Sequence, residues 1–401
     1  MNKGKETNST PKIWNRAFIS VFIVNAALYL SQQMMNSLVA KYADSIGASA
    51  SVVGLVSSMF AVSALVFKIF SGPASDAFNR KYILMGGMLI MALSYVGYSL
   101  SGNIPTLMAS RLLQGVGQAF TTTCLLALAA DTLPPERFGS GIGFISMAQA
   151  AAQAVGPTVG LTLTGIIGYK ATFMLGAGIM FTAVLVAGQI RSSFVKTKSF
   201  RISLDHIVAK EALLPATIIF FLAMAFSVIN SFLIIFAGRQ GVEHIGYYFT
   251  VYAVTLLFTR PMVGKLTDQY GLVKVAVPAL CCFAFSFYMI SCSDALWMFL
   301  LAGFVAAFGY GACQPAIQTL AMKCVPVDKR GAASSTNYIG TDSGNLIGPI
   351  LSGAIVERFG YVQMWRMMTI PMGISLLLMI TLRKKIVKIE TDFKERKDKE
   401  K

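Results

Sequence analysis

Lys68, Arg111, Arg260 and Asp342 sit inside long apolar runs of the sequence. Charge at that depth is costly, so such residues face a cavity or a partner, or snorkel to the interface. Asp342 lies about eleven residues into its run, near the middle of a span at ~1.5 Å per residue. Asn337, Tyr338, Thr341, Ser343 and Asn345 surround it. Asn337, Thr341 and Asn345 follow at four-residue steps and share one helix face, with Asp342 beside that face and near Tyr338. A carboxylate there could carry a proton, face a cationic substrate, or act as a structural partner for an arginine or a polar helix. Arg111 enters its run a few residues after a loop. Lys68 and Arg260 each precede a glycine, Gly72 and Gly264, by about one turn. Either could gate a path, draw anions into a vestibule, or snorkel toward headgroups.

Uncharged polar residues could line a path beside these charges. The first apolar run carries Asn25, Tyr29, Gln32, Gln33 and Asn36, and Tyr29, Gln32 (or Gln33) and Asn36 keep helical spacing. Gln118, Gln149, Gln153, Asn230, Gln314 and Gln318 come from later runs. The cavity so drawn is polar and short of charge. No GxSxG, HExxH or Walker A pattern is present, so nothing supports an enzyme, and transport without an ATP site must draw on gradients. Two histidines leave little room for haem or a histidine-rich metal site. The six cysteines fall in or at the edges of apolar runs with no CxxC pattern, which reads as free thiols. No metal or cofactor is expected.

The elements that hold these residues are expected to be membrane helices. Hydrophobic residues make up 55% of the 401-residue chain, charged residues 13%, and the mean hydropathy is +0.64. A soluble domain carries about 25% charged residues. Twelve apolar runs can be drawn, at 17–39, 51–73, 83–101, 105–130, 139–165, 168–190, 213–237, 245–265, 273–292, 295–321, 331–356 and 361–382. Each approaches or exceeds the ~20 residues that cross a bilayer as helix. The first is long enough to span and no small-residue cleavage motif follows closely, so no cleavable signal peptide is expected.

Lys and Arg set the expected orientation. With the N-terminus in the cytoplasm, 26 of the 34 basic residues fall on that side and 5 on the other. This is a strong positive-inside bias. It accounts for the net charge of +16 by attraction to an anionic inner leaflet and leaves no role for nucleic acid. A multi-pass protein of the cell membrane, with both termini cytoplasmic, is expected.

A shift of 192 residues superposes the two halves. Lys68 falls on Arg260, Gly72 and Asp76 on Gly264 and Asp268, and Pro134, Glu136 and Arg137 on Pro326, Asp328 and Lys329. Gly156-Pro157 falls on Gly348-Pro349, and Gly168-Tyr169 on Gly360-Tyr361. Matches at one constant shift indicate a duplicated unit. We expect an N-terminal half, 1–190, a linker, 191–212, a C-terminal half, 213–382, and a basic tail, 383–401. Parallel halves of this kind form rocking transporters with the path between them.

The loop Gly72-Pro73-Ala74-Ser75-Asp76-Ala77-Phe78-Asn79-Arg80-Lys81 resembles the signature between helices two and three of the major facilitator superfamily, with Asn79 where a second glycine is usual. Gly264 to Gly271 resembles its second copy. Arg111-Leu112-Leu113-Gln114-Gly115-Val116-Gly117 is similar to the helix-four signature, and Gly156-Pro157-Thr158-Val159-Gly160 to the helix-five signature of the superfamily's antiporters. The resemblance covers about 370 residues and implies an all-α membrane protein of twelve transmembrane helices in two pseudo-symmetric halves. It implies gating by Asp76, Arg80 and Asp268, where an acid could accept from the N–H groups of a following helix start and pair with nearby basic residues. It links Arg111 to proton transfer or substrate contact, and places the kinked helix of Gly156, Pro157 and Gly160 at the seam between halves. A monomer suffices, because the cavity forms between its own halves.

Two functions fit. One is a proton-coupled antiporter exporting small organic or drug-like compounds, resting on Gly156 to Gly160, Arg111 and Asp342. The other is a transporter of a small organic anion, or of a metabolite such as a sugar, nucleoside or metal-chelating compound. It rests on Lys68, Arg111 and Arg260. The first span also lacks the acidic residue that many related drug exporters carry, which weakens a polyspecific cation reading. A channel or membrane enzyme fits least.

Overall fold

The computed structural model describes residues 14–133, 138–190, 208–326 and 330–399, and among them there are helices and connecting turns but no strand. The side chains of Asp76 and Asp268, the loop residues Pro134, Glu136, Arg137, Asp328 and Lys329, and most of the linker lie outside the described residues. The helices are α1 (Arg16–Ser45), α2 (Ala50–Ala77), α3 (Arg80–Leu100), α4 (Ile104–Thr132), α5 (Phe138–Gly188), α6 (Leu213–Arg239), α7 (Tyr247–Tyr270), α8 (Leu272–Ser291), α9 (Leu296–Lys323), α10 (Arg330–Met367), α11 (Ile370–Thr381) and α12 (Arg383–Lys399).

Among the described residues, nine helical stretches are long and apolar enough to cross a membrane. Two of them, Gly143–Gly188 and Ala332–Thr381, run to 46 and 50 residues, about twice what a bilayer needs. Each is broken by a glycine in the left-handed region, Gly168 at φ 78° and Gly360 at φ 80°, where a side chain would be strained. The chain reverses at both. Gly160 faces Met34 and Leu38 of α1, while Gly176, beyond the break, faces Met35 and Ser31 of the same helix. Likewise Gly344 and Gly348 face α6 near Met224, and Ser375, beyond the second break, donates to the carbonyl of Ile218 on α6. Counting the broken stretches as two each, and adding α7, gives twelve spans. The two breaks are 192 residues apart and share one geometry, so the repeat read from the sequence is a repeat of structure.

Asn79 caps α3, its Oδ1 accepting from Lys81 N–H at 3.0 Å. The basic tail is helical and docked. Glu390 of α12 accepts from the first N–H of α8 at Leu272, pairs with Lys323 of α9 at 3.7 Å, and Ile386 is fully buried. A carboxylate at a helix N-terminus is favoured by the exposed N–H groups there.

Both the start of α1 and the end of α11 lie at one face of the bundle, the tail face. The other, far face carries the α1–α2 turn, Gly168 and Gly360. Among the described residues, four sets of polar links join α1–α5 to α6–α11. Arg239 pairs with Asp44 at 3.1 Å. Glu357 accepts from the backbone and hydroxyl of Ser51. Thr158 donates to the carbonyl of Gly246 at 2.7 Å and meets Thr250. All three lie toward the far face, where Gly54 also packs on the Pro349 carbonyl and Gly353 on that of Ala50. The fourth link, Lys68 to Asp342, lies deeper.

Candidate functional site

Asp342 is buried on the tail side of the α10 kink, and its partner is Lys68 of α2. The lysine reaches across from the other half, donates to Oδ2, and its ammonium lies 4.8 Å from the ring centre of Tyr338, one helical turn before Asp342. Charge, hydrogen bond and aromatic face together compensate both ions in a region poor in water. Lys68 is thus neither directed to headgroups nor left as a bare vestibule charge. Tyr29 of α1 is half-buried and lies within electrostatic reach of Tyr338, so spans from both halves border this point.

Arg111 sits elsewhere, in the interior of the N-terminal half and 1% exposed. Its guanidinium donates to Asn36 Oδ1 at 3.1 Å and to Gln114 Oε1 at 2.7 Å, and lies 5.2 Å from the ring of Phe60. Tyr98 donates to the same Gln114 oxygen. The two charges singled out from the sequence therefore do not share a contact: Arg111 is held by neutral amides, Asp342 by a lysine. Asn36 belongs to the Arg111 cluster. Gln114 stands one turn after Arg111, which was a usable signal; Tyr98 gave none.

The other expected lining residues divide. Asn25 is fully buried, donates to the Ile145 carbonyl, and accepts from Gln149 at 3.1 Å. Both therefore tie α1 to α5. Gln32, Gln118 and Asn337 each keep a buried side-chain oxygen without a partner. Gln153, Asn230, Gln314, Gln318 and Asn345 are half-buried. Gly156 and Gly160 form a seam inside the N-terminal half: a Cβ on Gly156 would lie 2.8 Å from Gln33 Cβ. The seam between halves is made by Thr158 of the same helix. Arg80 forms a two-oxygen ion pair with Asp131 at the end of α4, at 2.7 and 2.8 Å, a partner the loop motif did not announce.

The sequence matches the Major Facilitator Superfamily over residues 21–243 and 215–401. The chain belongs to that superfamily. Among curated proteins it is similar to the multi-drug resistance efflux pump PmrA of Streptococcus pneumoniae, at 25% identity covering 86% of this chain and 89% of that one. It is also similar to the multidrug resistance protein MdtG of Enterobacter lignolyticus, at 24% identity with 88% and 89% covered. Its fold resembles that of a crystal structure of a variant of the nucleoside transporter NupG, with TM-score 0.79 at 11% identity, covering 91% of this chain and 99% of that one. A bacterial homologue of the human lysosomal transporter Spinster, solved inward-facing and unoccupied, gives TM-score 0.76 at 15% identity over 93% and 97%. This superfamily member is a multi-pass membrane transporter that sits in a lipid bilayer and moves a small-molecule substrate.

Proposed function

We propose that this transporter is a proton-coupled antiporter that exports small organic or drug-like compounds by alternating access. The observation that carries the reading is the ion pair of Lys68 and Asp342 between helices of opposite halves. Protonation of Asp342 removes one charge of the pair and frees the lysine, so a proton and the separation of α2 from α10 are coupled through one bond. An ionised, paired Asp342 with the far face clasped corresponds to a state that has released its proton and awaits substrate from the tail face.

The positive-inside bias supports a cytoplasmic tail face in the cell's inner or cytoplasmic membrane. The moving bodies are residues 1–190 and 213–382, joined by 191–212, and one chain suffices because the path forms between its own halves. Arg80 with Asp131, and Asp76 and Asp268 by their place in the loop motifs, time the rocking. Gln32, Gln118, Asn337 and Tyr338 line the path. Similarity to two multidrug resistance proteins supports the substrate class.

The test is flux in reconstituted vesicles against a panel of toxic compounds and metabolites, with proton movement recorded at the same time. An imposed pH gradient is expected to drive uphill movement of at least one drug-like compound, with counterflow of protons. Movement indifferent to the gradient overturns the coupling.

A further inference from the structure

Three cations lie within the spans: Lys68 pairs with Asp342, and Arg111 donates to Asn36 and Gln114 from a terminal nitrogen while its own Nε stays unmet. Arg260 of α7 has no hydrogen bond or ion pair among the described residues. Its Nε is buried and unpaired, while the residue as a whole is only half-buried. Tyr252 lies eight residues before it on α7, about 12 Å along the axis and on the same broad side of the helix, while Tyr248 lies a further turn away and off that side. Both hydroxyls are buried without a partner, as is the hydroxyl of Thr259. Arg260 acts electrostatically on Tyr252 and on Tyr310 of α9. The walls are aromatic: Tyr310 stacks on Phe226 of α6 at 3.9 Å between ring centres, and Phe226 lies 5.8 Å from Tyr252.

Buried polar groups are almost always hydrogen-bonded, and an unmet one costs more where water is absent. Here the unmet groups are a guanidinium, which can only donate, and hydroxyls free to donate. No carboxylate among the described residues pairs with the guanidinium. Several donors around a fixed positive charge call for an acceptor that arrives with a ligand, and stacked rings beside them favour a flat apolar body. We propose that Arg260 and Tyr252, flanked by Tyr310 and Phe226, form a subsite for the carboxylate of a small aromatic organic anion. The half-buried guanidinium is the point of entry, and the Tyr252 hydroxyl backs it. This rests on the exporter reading for the path that delivers the anion, and it narrows the substrate class.

The probe is 1-naphthoate, with the neutral 1-naphthamide as control, binding to the full chain in phosphatidylcholine nanodiscs without a pH gradient. Naphthoate is expected to bind about tenfold tighter than the amide or better, as one charge-assisted contact allows. Arg260→Gln abolishes that preference, and Arg260→Lys retains part of it. Tyr252→Phe weakens naphthoate severalfold and leaves the amide unchanged. Because the Tyr252 hydroxyl has no hydrogen-bond partner among the described residues, that variant breaks none of the hydrogen bonds described for the fold and decides the matter if Arg260→Gln does not accumulate. Replacing phosphatidylcholine by anionic phosphatidylglycerol leaves naphthoate binding in place. Loss of binding there assigns the charge to lipid headgroups and overturns the proposal, as does equal affinity for acid and amide in the unaltered protein. Proton-coupled export without carboxylate preference removes the subsite alone; carboxylate preference without proton-coupled flux removes the exporter reading alone.

Discussion

Lys68 and Asp342 are 274 positions apart in sequence, on α2 and α10, yet they form the innermost polar link between the two halves of the bundle. The remaining links between halves, Asp44–Arg239, Ser51–Glu357 and Thr158–Gly246, gather toward the far face. The deep link differs in kind, because it joins a buried carboxylate to a half-buried ammonium, a pair that a single proton can uncouple. Breaking such a pair by removing one partner is costly, since the other charge is left without solvent or counter-ion.

Asp342→Asn is expected to abolish accumulation driven by a pH gradient while downhill exchange survives. Lys68→Gln strands the carboxylate and is expected to lower stability by about 3–5 kcal/mol, the usual cost of an orphaned buried charge. The double variant Lys68→Gln, Asp342→Asn recovers most of that stability and stays uncoupled. Thermal unfolding in detergent and paired proton and substrate fluxes in vesicles read both effects. Intact coupled flux in Asp342→Asn moves the coupling site elsewhere.

Arg111 holds Asn36 and Gln114 in one cluster inside the N-terminal half. Arg111→Ala removes the charged donor from Gln114 Oε1, which keeps Tyr98, and from the half-buried Asn36 Oδ1, which keeps Gln114 Nε2, and a loss of about 1.5–3 kcal/mol per charge-assisted hydrogen bond follows. Arg111→Lys keeps the charge but cannot reach both oxygens in one plane, so it rescues stability only in part. A melting curve indistinguishable from that of the unaltered protein would show the cluster to be slack.

Gly156→Leu forces a side chain into the contact with Gln33 and Met34 of α1. Overpacking of this kind costs about 1–3 kcal/mol and shifts the helices apart. Transport is expected to fall sharply at normal membrane insertion. Undiminished flux means α1 and α5 have room to spare.

The far face must open once in each cycle if access alternates. Cysteines at Ser51 and Glu357, whose side chains touch across the halves, are expected to cross-link readily and to stop transport reversibly with reductant. Full turnover in the cross-linked protein rules out opening at that face.

Asp76→Asn and Asp268→Asn are expected to preserve insertion and slow turnover at equal expression. Arg80→Gln removes the pair with the half-exposed Asp131 and the hydrogen bond to the Ser75 carbonyl, and is expected to slow exchange measurably. Unaltered exchange rates in all three variants dissociate the loop motifs from gating.

The twelve spans and the duplicated plan were legible in the sequence, because hydropathy runs and the 192-residue register are properties of local composition. The breaks between apolar runs near Gly168 and Gly360 were legible for the same reason, but not the left-handed bend that each glycine holds. Loop motifs marked Arg80 but not its partner Asp131, since an ion pair between helix ends depends on how α3 and α4 sit side by side. Burial could be read for Asp342 and Arg111, but not what compensates each. An acid at mid-span must find a partner, and the sequence pointed to an arginine or a polar helix rather than to Lys68. Only the packing of α2 against α10, set where Gly54 admits the Pro349 carbonyl, carries the lysine ammonium to Asp342 and leaves Arg260 without a counter-charge among the described residues. Periodicity orders residues along one helix; which charge meets which across two halves is decided by the distances that only tertiary packing sets.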